Sequence, residues 1–129
     1  MLKVLLFMKK KAGLTDEQFR HHYETSHAPL AEKYLGRYMA EYRRNYRSGG
    51  SDAGLPGSAS AFEGSAGEAP FDVITEIWFH DRENFEAMWV AARQPEIAAA
   101  TDADAEHFLE PGSFRAYVVD EARSTLKKG

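Results

Sequence analysis

Residues Phe71 to Phe79, FDVITEIWF, are apolar on both sides when read with the twofold period of a strand. Val73, Thr75, Ile77 and Phe79 fall on one face, and Ile74, Glu76 and Trp78 on the other. A strand of this kind is predicted to lie in the middle of a sheet with a layer packed on each side, because either face left in water would expose large side chains. The rest of the chain must supply those layers.

Leu2 to Lys9 is apolar and β-prone and stops at a Lys-rich turn with Gly13, which predicts a first strand. Thr15-Asp16-Glu17-Gln18 then has the form of a capping box, with acids in the first turn of a helix. That helix is expected to run to about His27, break, and resume from Pro29 to Leu35, with Gly36 as a left-handed cap. Arg37 to Arg47 alternates, with Tyr38, Ala40, Tyr42, Arg44 and Tyr46 on one side, and predicts a second strand. After the central strand, Asp81 caps a second helix in which Phe85, Met88, Trp89 and Ala92 form the stripe of a helix lying on a sheet. Pro95 is expected to interrupt it, Glu96 to Ala100 to continue helically, and Asp102 to Phe108 to make an acidic turn before Pro111-Gly112. Ser113 to Asp120 supplies the last strand, and the charged tail to Gly129 should fray.

The order β-α-β-β-α-β, with two helices of similar length, is the ferredoxin-like plan: an α+β fold whose antiparallel sheet carries both helices on one face. Alternate strand positions on the other face stay apolar or aromatic, so two sheets packed face to face in a twofold homodimer would bury them. The 129 residues suffice for one domain. Within it, Ser48 to Pro70 is rich in Gly, Ser, Ala and Pro and reads as a flexible, solvated insertion, the alternative being a lid docked through Leu55 and Phe62.

A net charge of −4 argues against a nucleic-acid partner. Arg37, Arg43, Arg44 and Arg47 are interrupted by Glu41 and tyrosines and read as a solvated strand face. The absence of cysteine excludes a disulfide framework and thiolate metal sites, and fits a reducing compartment. MLKVLLFMKKK places its lysines after a short apolar run, the reverse of a signal peptide, and no later stretch reaches membrane-spanning length. A cytoplasmic protein with no membrane partner is expected.

The chemistry concentrates in Phe19 to Leu30, FRHHYETSHAPL. At 100° per residue Phe19, Tyr23, Ser26, His27, Leu30 and Tyr34 share one stripe, so His27 is an ionisable group on a core-facing surface. Pro29 lacks an N–H and crowds the carbonyl of Thr25, so unpaired backbone groups should lie beside an imidazole that titrates near neutrality. Such a place suits proton transfer, or a structural histidine capping a broken helix. His21, His22 and His80 are expected to face solvent, and His107 is left open.

Gly13 to Leu30, with Gly36-Arg37-Tyr38, the strand Phe71 to Phe79 followed by Asp81, and Asp104 to Phe108, resembles the EthD family of dimeric α/β-barrel proteins. The S-H-x-P element at Ser26, His27 and Pro29 is the most specific part. The resemblance implies a small homodimer that binds a hydrophobic or aromatic compound between helices and sheet. Some relatives are cofactor-free dehydratases, cyclases or isomerases, and others accompany oxygenases. His27 matches the family histidine, and Asp104 and Phe108 match its D-x-x-x-F element. Where many relatives carry a second histidine late in the second strand, this chain has Tyr42, or Tyr46 in a shifted alignment.

In the catalytic reading His27 moves a proton at a carbon beside a carbonyl, Tyr42 or Tyr23 hydrogen-bonds the developing enolate, and Asp104 orients the imidazole or acts as second acid/base. Tyr23, Tyr38, Trp78, Trp89 and Phe108 would contact the substrate. In the duller reading Asp104 is a helix cap and the tyrosines are strand fillers. A metal is not expected, since His21, His22 and His27 do not share a helix face. No G-x-S-x-G elbow or phosphate-binding glycine motif is present. Two classes remain: a cofactor-free lyase or isomerase of the dehydratase/cyclase kind acting on an aromatic or polyketide-like carbonyl compound, and a non-catalytic ligand-binding or accessory protein for an oxygenase. Haem binding through His27 is a weaker third.

Overall fold

The structure is a computed structural model that describes residues 1–47 and 70–127. Strands β1 (Leu2–Met8), β2 (Glu41–Tyr46), β3 (Val73–Phe79) and β4 (Arg115–Val119) form one antiparallel sheet in the order β2-β3-β1-β4. β3 is one of the two interior strands, with β1 the other, as its two apolar faces require. The flexible insertion expected over Ser48 to Pro70 lies, but for Pro70, outside the described residues. Among the described residues no helix is long and apolar enough to cross a membrane.

The helical layer has two arms. The first is α1 (Asp16–His22), a π-helical turn (Tyr23–His27), α2 (Ala28–Leu35) and a 3-10 turn (Gly36–Tyr38). The second is α3 (Arg82–Ala92) followed by α4 (Pro95–Ala105). Both N-terminal caps form as the sequence predicts: Thr15 Oγ1 accepts from the Gln18 amide at 3.1 Å, the Gln18 side chain accepts from the Thr15 amide at 2.9 Å, and Asp81 accepts from the Asn84 amide at 2.8 Å.

Three local expectations are corrected. The first arm does not break at His27: Ala28 keeps right-handed helical angles and its N–H reaches the carbonyl of Tyr23, five residues back, so the missing Pro29 donor is absorbed by one wide turn. Gly36 has φ −58° and no left-handed cap forms; the chain tightens into the 3-10 turn, which delays β2 to Glu41. The interruption expected at Pro95 is observed: α3 ends at Ala92, and Pro95 takes the first turn of α4, where a missing N–H costs nothing. The segment expected to be an acidic turn continues α4 through Ala105, because Asp102, Ala103 and Asp104 prolong a helix already nucleated by the alanines before them.

Val4, Leu6 and Met8 of β1 and Val73, Thr75, Ile77 and Phe79 of β3 are buried beneath the helices with Phe19, Tyr23, Ala28, Leu35, Met88, Ala91, Ile97 and Phe108. Beyond α4 the chain is tied back to β1: the Lys11 amide donates to the Phe108 carbonyl at 2.8 Å and the Glu110 amide to the Lys9 carbonyl at 2.9 Å. This places Phe108 and the last turn of α4 beside the first arm. The opposite face of the sheet carries Leu5, Phe7, Ile74 and Trp78, all partly exposed, and Tyr117, which is 54% exposed.

A histidine–aspartate cluster as candidate active site

Every buried position along the first arm follows the helical spacing except at one step. Phe19 and Tyr23 are four residues apart, Ala28, Ala31 and Leu35 are spaced by three and four, but Tyr23 to Ala28 is five. In an ideal α-helix two residues five apart point about 140° away from each other. The π turn removes much of that angle, so the core stripe crosses it unbroken. The same turn acts on His22 and His27, which are also five apart. Glu24 holds the turn against β2: its carboxylate accepts from Arg44 Nε at 2.9 Å, Arg44 Nη2 at 2.7 Å and the Tyr46 hydroxyl at 2.5 Å. The Arg44 guanidinium keeps Glu24 below the usual carboxylate range.

His22 and His27 converge on one carboxylate. Asp104, in the last turn of α4, accepts from His27 Nδ1 at 2.8 Å on Oδ2, and from Ser26 Oγ at 2.5 Å and His22 Nε2 at 3.2 Å on Oδ1. Burial alone would raise its carboxyl, but the Ser26 and His27 donors and the two imidazoles outweigh that and hold it below the usual carboxylate range. His27 is shifted the opposite way from what its carboxylate partner favours. Desolvation lowers its pKa more than the hydrogen bond and charge of Asp104 raise it, with His22 lowering it further, so His27 is neutral at pH 7. Its Nδ1 then carries the proton given to Asp104, and Nε2 keeps its lone pair; Nε2 has no hydrogen-bond partner among the described residues.

The floor is aromatic. The fully buried Phe108 ring lies 4.9 Å from the ring centre of His27, 5.0 Å from that of His22 and 5.4 Å from that of Tyr23, whose edge meets His27 at 5.5 Å. Behind Tyr23 runs a chain of hydroxyls: Tyr42 donates to the Tyr23 oxygen at 3.2 Å, and Tyr23 pairs with Thr75 Oγ1 of β3 at 2.8 Å. Burial raises both phenols above their ordinary pKa, so both stay protonated.

Of the residues singled out in the sequence, the structure brings together His27, Asp104, Tyr23 and Phe108, and links Tyr42 to them through Tyr23. It does not bring Trp78, whose side chain is on the other face of the sheet under Lys3 and Arg43, with Lys3 Nζ 4.6 Å from the ring centre. Trp89 stacks on Phe85 at 5.6 Å and Tyr38 on Arg37 at 5.1 Å, each within its own packing environment. Asp104 is no helix cap; its side chain is spent on the cluster. The expectation that His22 faces solvent is overturned, because it assumed 100° per residue through a turn that is wider; His21 stays exposed, so the three histidines do not share one face. Among the described residues no three His, Asp or Glu side chains are grouped as a metal ion needs. A shallow depression lined by Asp16, Phe19, Arg20, Tyr46, Arg47 and Asp72 is distinct from the cluster and is occupied by ion pairs, with Arg47 Nη2 2.9 Å from Asp72.

The fold and the cluster together define a ferredoxin-like α+β protein with a histidine–aspartate pair at the junction of its two helical arms. The EthD domain matches residues 11–112, and the chain belongs to the EthD family. Among solved structures it resembles an EthD family protein from Bacillus halodurans, with 21% identity, a TM-score of 0.58 and coverage of 95% of this chain and 100% of that one. HapK from Hahella chejuensis is 11% identical at TM-score 0.57, with 100% of both chains covered. A protein from Arabidopsis thaliana is 13% identical at TM-score 0.53, covering 99% of this chain and 100% of its own. At these identities the likeness is one of fold. No curated protein matches the sequence significantly.

Proposed function

We propose that the protein is a cofactor-free acid/base enzyme, a lyase or isomerase of the dehydratase/cyclase kind, acting on a hydrophobic aromatic or polyketide-like carbonyl compound. One observation carries this reading: a partly buried imidazole has one nitrogen fixed by a carboxylate and the other, above an aromatic floor, without a partner among the described residues. Asp104 selects the tautomer. His27 Nε2 then takes a proton from the carbon beside the carbonyl, the C–H electron pair moves into an enolate, and the new imidazolium is stabilised by the carboxylate on Nδ1. The proton is returned either to another carbon, giving an isomer, or to a departing hydroxyl, giving water and a dehydrated product.

Phe108 and Tyr23 support a planar, apolar ligand by stacking. Tyr42 serves as enolate donor only by giving up its bond to Tyr23, an exchange between two protonated hydroxyls that costs little. The apolar outer face of the sheet supports a homodimer, with two such faces packed together to form the dimeric barrel.

The test is carbon-bound proton exchange. Aromatic ketones and β-keto lactones that raise the melting temperature are incubated with the protein in D2O, and loss of the α-C–H signal is followed by NMR. The proposal expects at least one such ligand to exchange well above its buffer rate. Ligands that bind without any exchange above buffer would point instead to a non-catalytic binding or accessory protein.

A further inference from the structure

His22 has no place in the proton transfer just described, yet it occupies a full hydrogen bond on the carboxylate that orients His27. The two imidazoles approach Asp104 from opposite oxygens, and they differ in exposure: the side chain of His22 is 28% exposed and that of His27 15%. A proton entering the cluster can sit on either ring, and each position is stabilised by the same anion, at 2.8 Å for His27 and 3.2 Å for His22, but on His27 burial outweighs that attraction. The desolvation cost is smaller on the more exposed ring. Once one ring is charged, the second proton must enter beside a like charge across a single carboxylate.

We propose that His22 takes the first proton of the cluster and thereby holds His27 in its neutral, proton-accepting form on the acid side of neutrality. His22 is thus a positioning residue of the site, acting through Asp104. The other groups around the pair do not replace it. From α4 and the turn after it come Asp104 itself and the exposed His107, whose ring centre is 5.9 Å from that of His22. From the π turn come Ser26, a neutral donor, and Tyr23, kept protonated by burial. From β2, Arg44 is neutralised by Glu24, and Tyr42 is uncharged. Lys11 is turned to the Glu106 carbonyl at 3.0 Å. The charge on His22 is therefore the variable one next to His27, with His107 behind it.

The inference rests on the reading of His27 as the working base, but its test needs no turnover and stands apart from that reading. The imidazole signals of the full chain are titrated by NMR in the wild type and in His22→Gln, His22→Lys and His107→Gln. In the wild type His22 should protonate before His27 as pH falls. His22→Gln keeps a donor to Asp104 without the charge, and the His27 midpoint should rise by roughly half a pH unit or more. His22→Lys supplies a permanent charge and should leave the midpoint at or below the wild-type value. His107→Gln should leave it within error. The proposal is overturned if His27 protonates first in the wild type, or if His22→Gln leaves its midpoint unchanged or lower. Should His22→Gln fail to fold, the wild-type order and the Lys variant decide the matter.

Discussion

At the scale of single residues the account rests on Asp104, which gathers Ser26, His22 and His27 with three donors on two oxygens. Asp104→Asn removes the anion and half of the accepting capacity, so the tautomer of His27 is no longer fixed; turnover of any substrate found should fall by about tenfold or more, with the fold intact. The pKa directions also set a stability trend. His27 and Asp104 both have folded values below their ordinary ones of 6.5 and 3.8, so each favours the folded state above its unfolded value and loses that contribution as pH falls through its folded value. For His27 the loss begins below pH 6.5. The melting temperature of the wild type relative to His27→Gln should therefore shrink between pH 7 and pH 5, and a margin that widens on acidification would show that the folded state prefers His27 charged. His27, Asp104 and Phe108 were legible in the sequence through motif and register. His22 was not, because nothing in its own neighbourhood marks it; only the five-residue spacing it shares with the Tyr23–Ala28 step gives it away.

At the scale of elements, the strands and both capped helix starts follow from alternation and capping residues alone, since local chemistry decides them. The middle of the first arm does not. Two stripes compete after Tyr23, one through Leu30 and Tyr34 and one through Ala28, Ala31 and Leu35; the structure buries the second. The small alanines allow close approach to α3 and α4, a tertiary preference that helical periodicity cannot show. Deleting the exposed Thr25 should restore α-helical register and set Phe19 and Tyr23 against Ala28 and Leu35 for the core. One group must leave it, and denaturant unfolding should report a loss of about 3 kcal/mol or more, with His22 and His27 no longer on one carboxylate. A deletion variant as stable as the wild type would mean that the wide turn is dispensable.

At the scale of the whole molecule, the ferredoxin-like plan was readable from the β-α-β-β-α-β order of elements, and the homodimer is expected because the strands are apolar on both faces while the helices cover only one. The outer face still shows Leu5, Phe7, Ile74, Trp78 and Tyr117, and the indole N–H of Trp78 is buried there without an acceptor among the described residues. Light scattering should give about twice the 14.5 kDa chain mass. A charge placed on this face by Phe7→Glu should yield a monomer whose histidine titration is largely preserved, since the cluster lies on the other side of the sheet. A wild type that stays monomeric at micromolar concentration would remove the barrel.

All three scales converge on Nε2 of His27, which has no partner among the described residues, and His27→Gln tests it most directly. Glutamine keeps a donor toward Asp104 but cannot exchange a proton near pH 7. Measured on one ligand at matched saturation, the D2O exchange rate should fall by about 100-fold or more while ligand affinity and melting temperature stay close to wild type. A glutamine variant that exchanges as fast as the wild type would contradict the account and leave His27 as a structural residue of the wide turn.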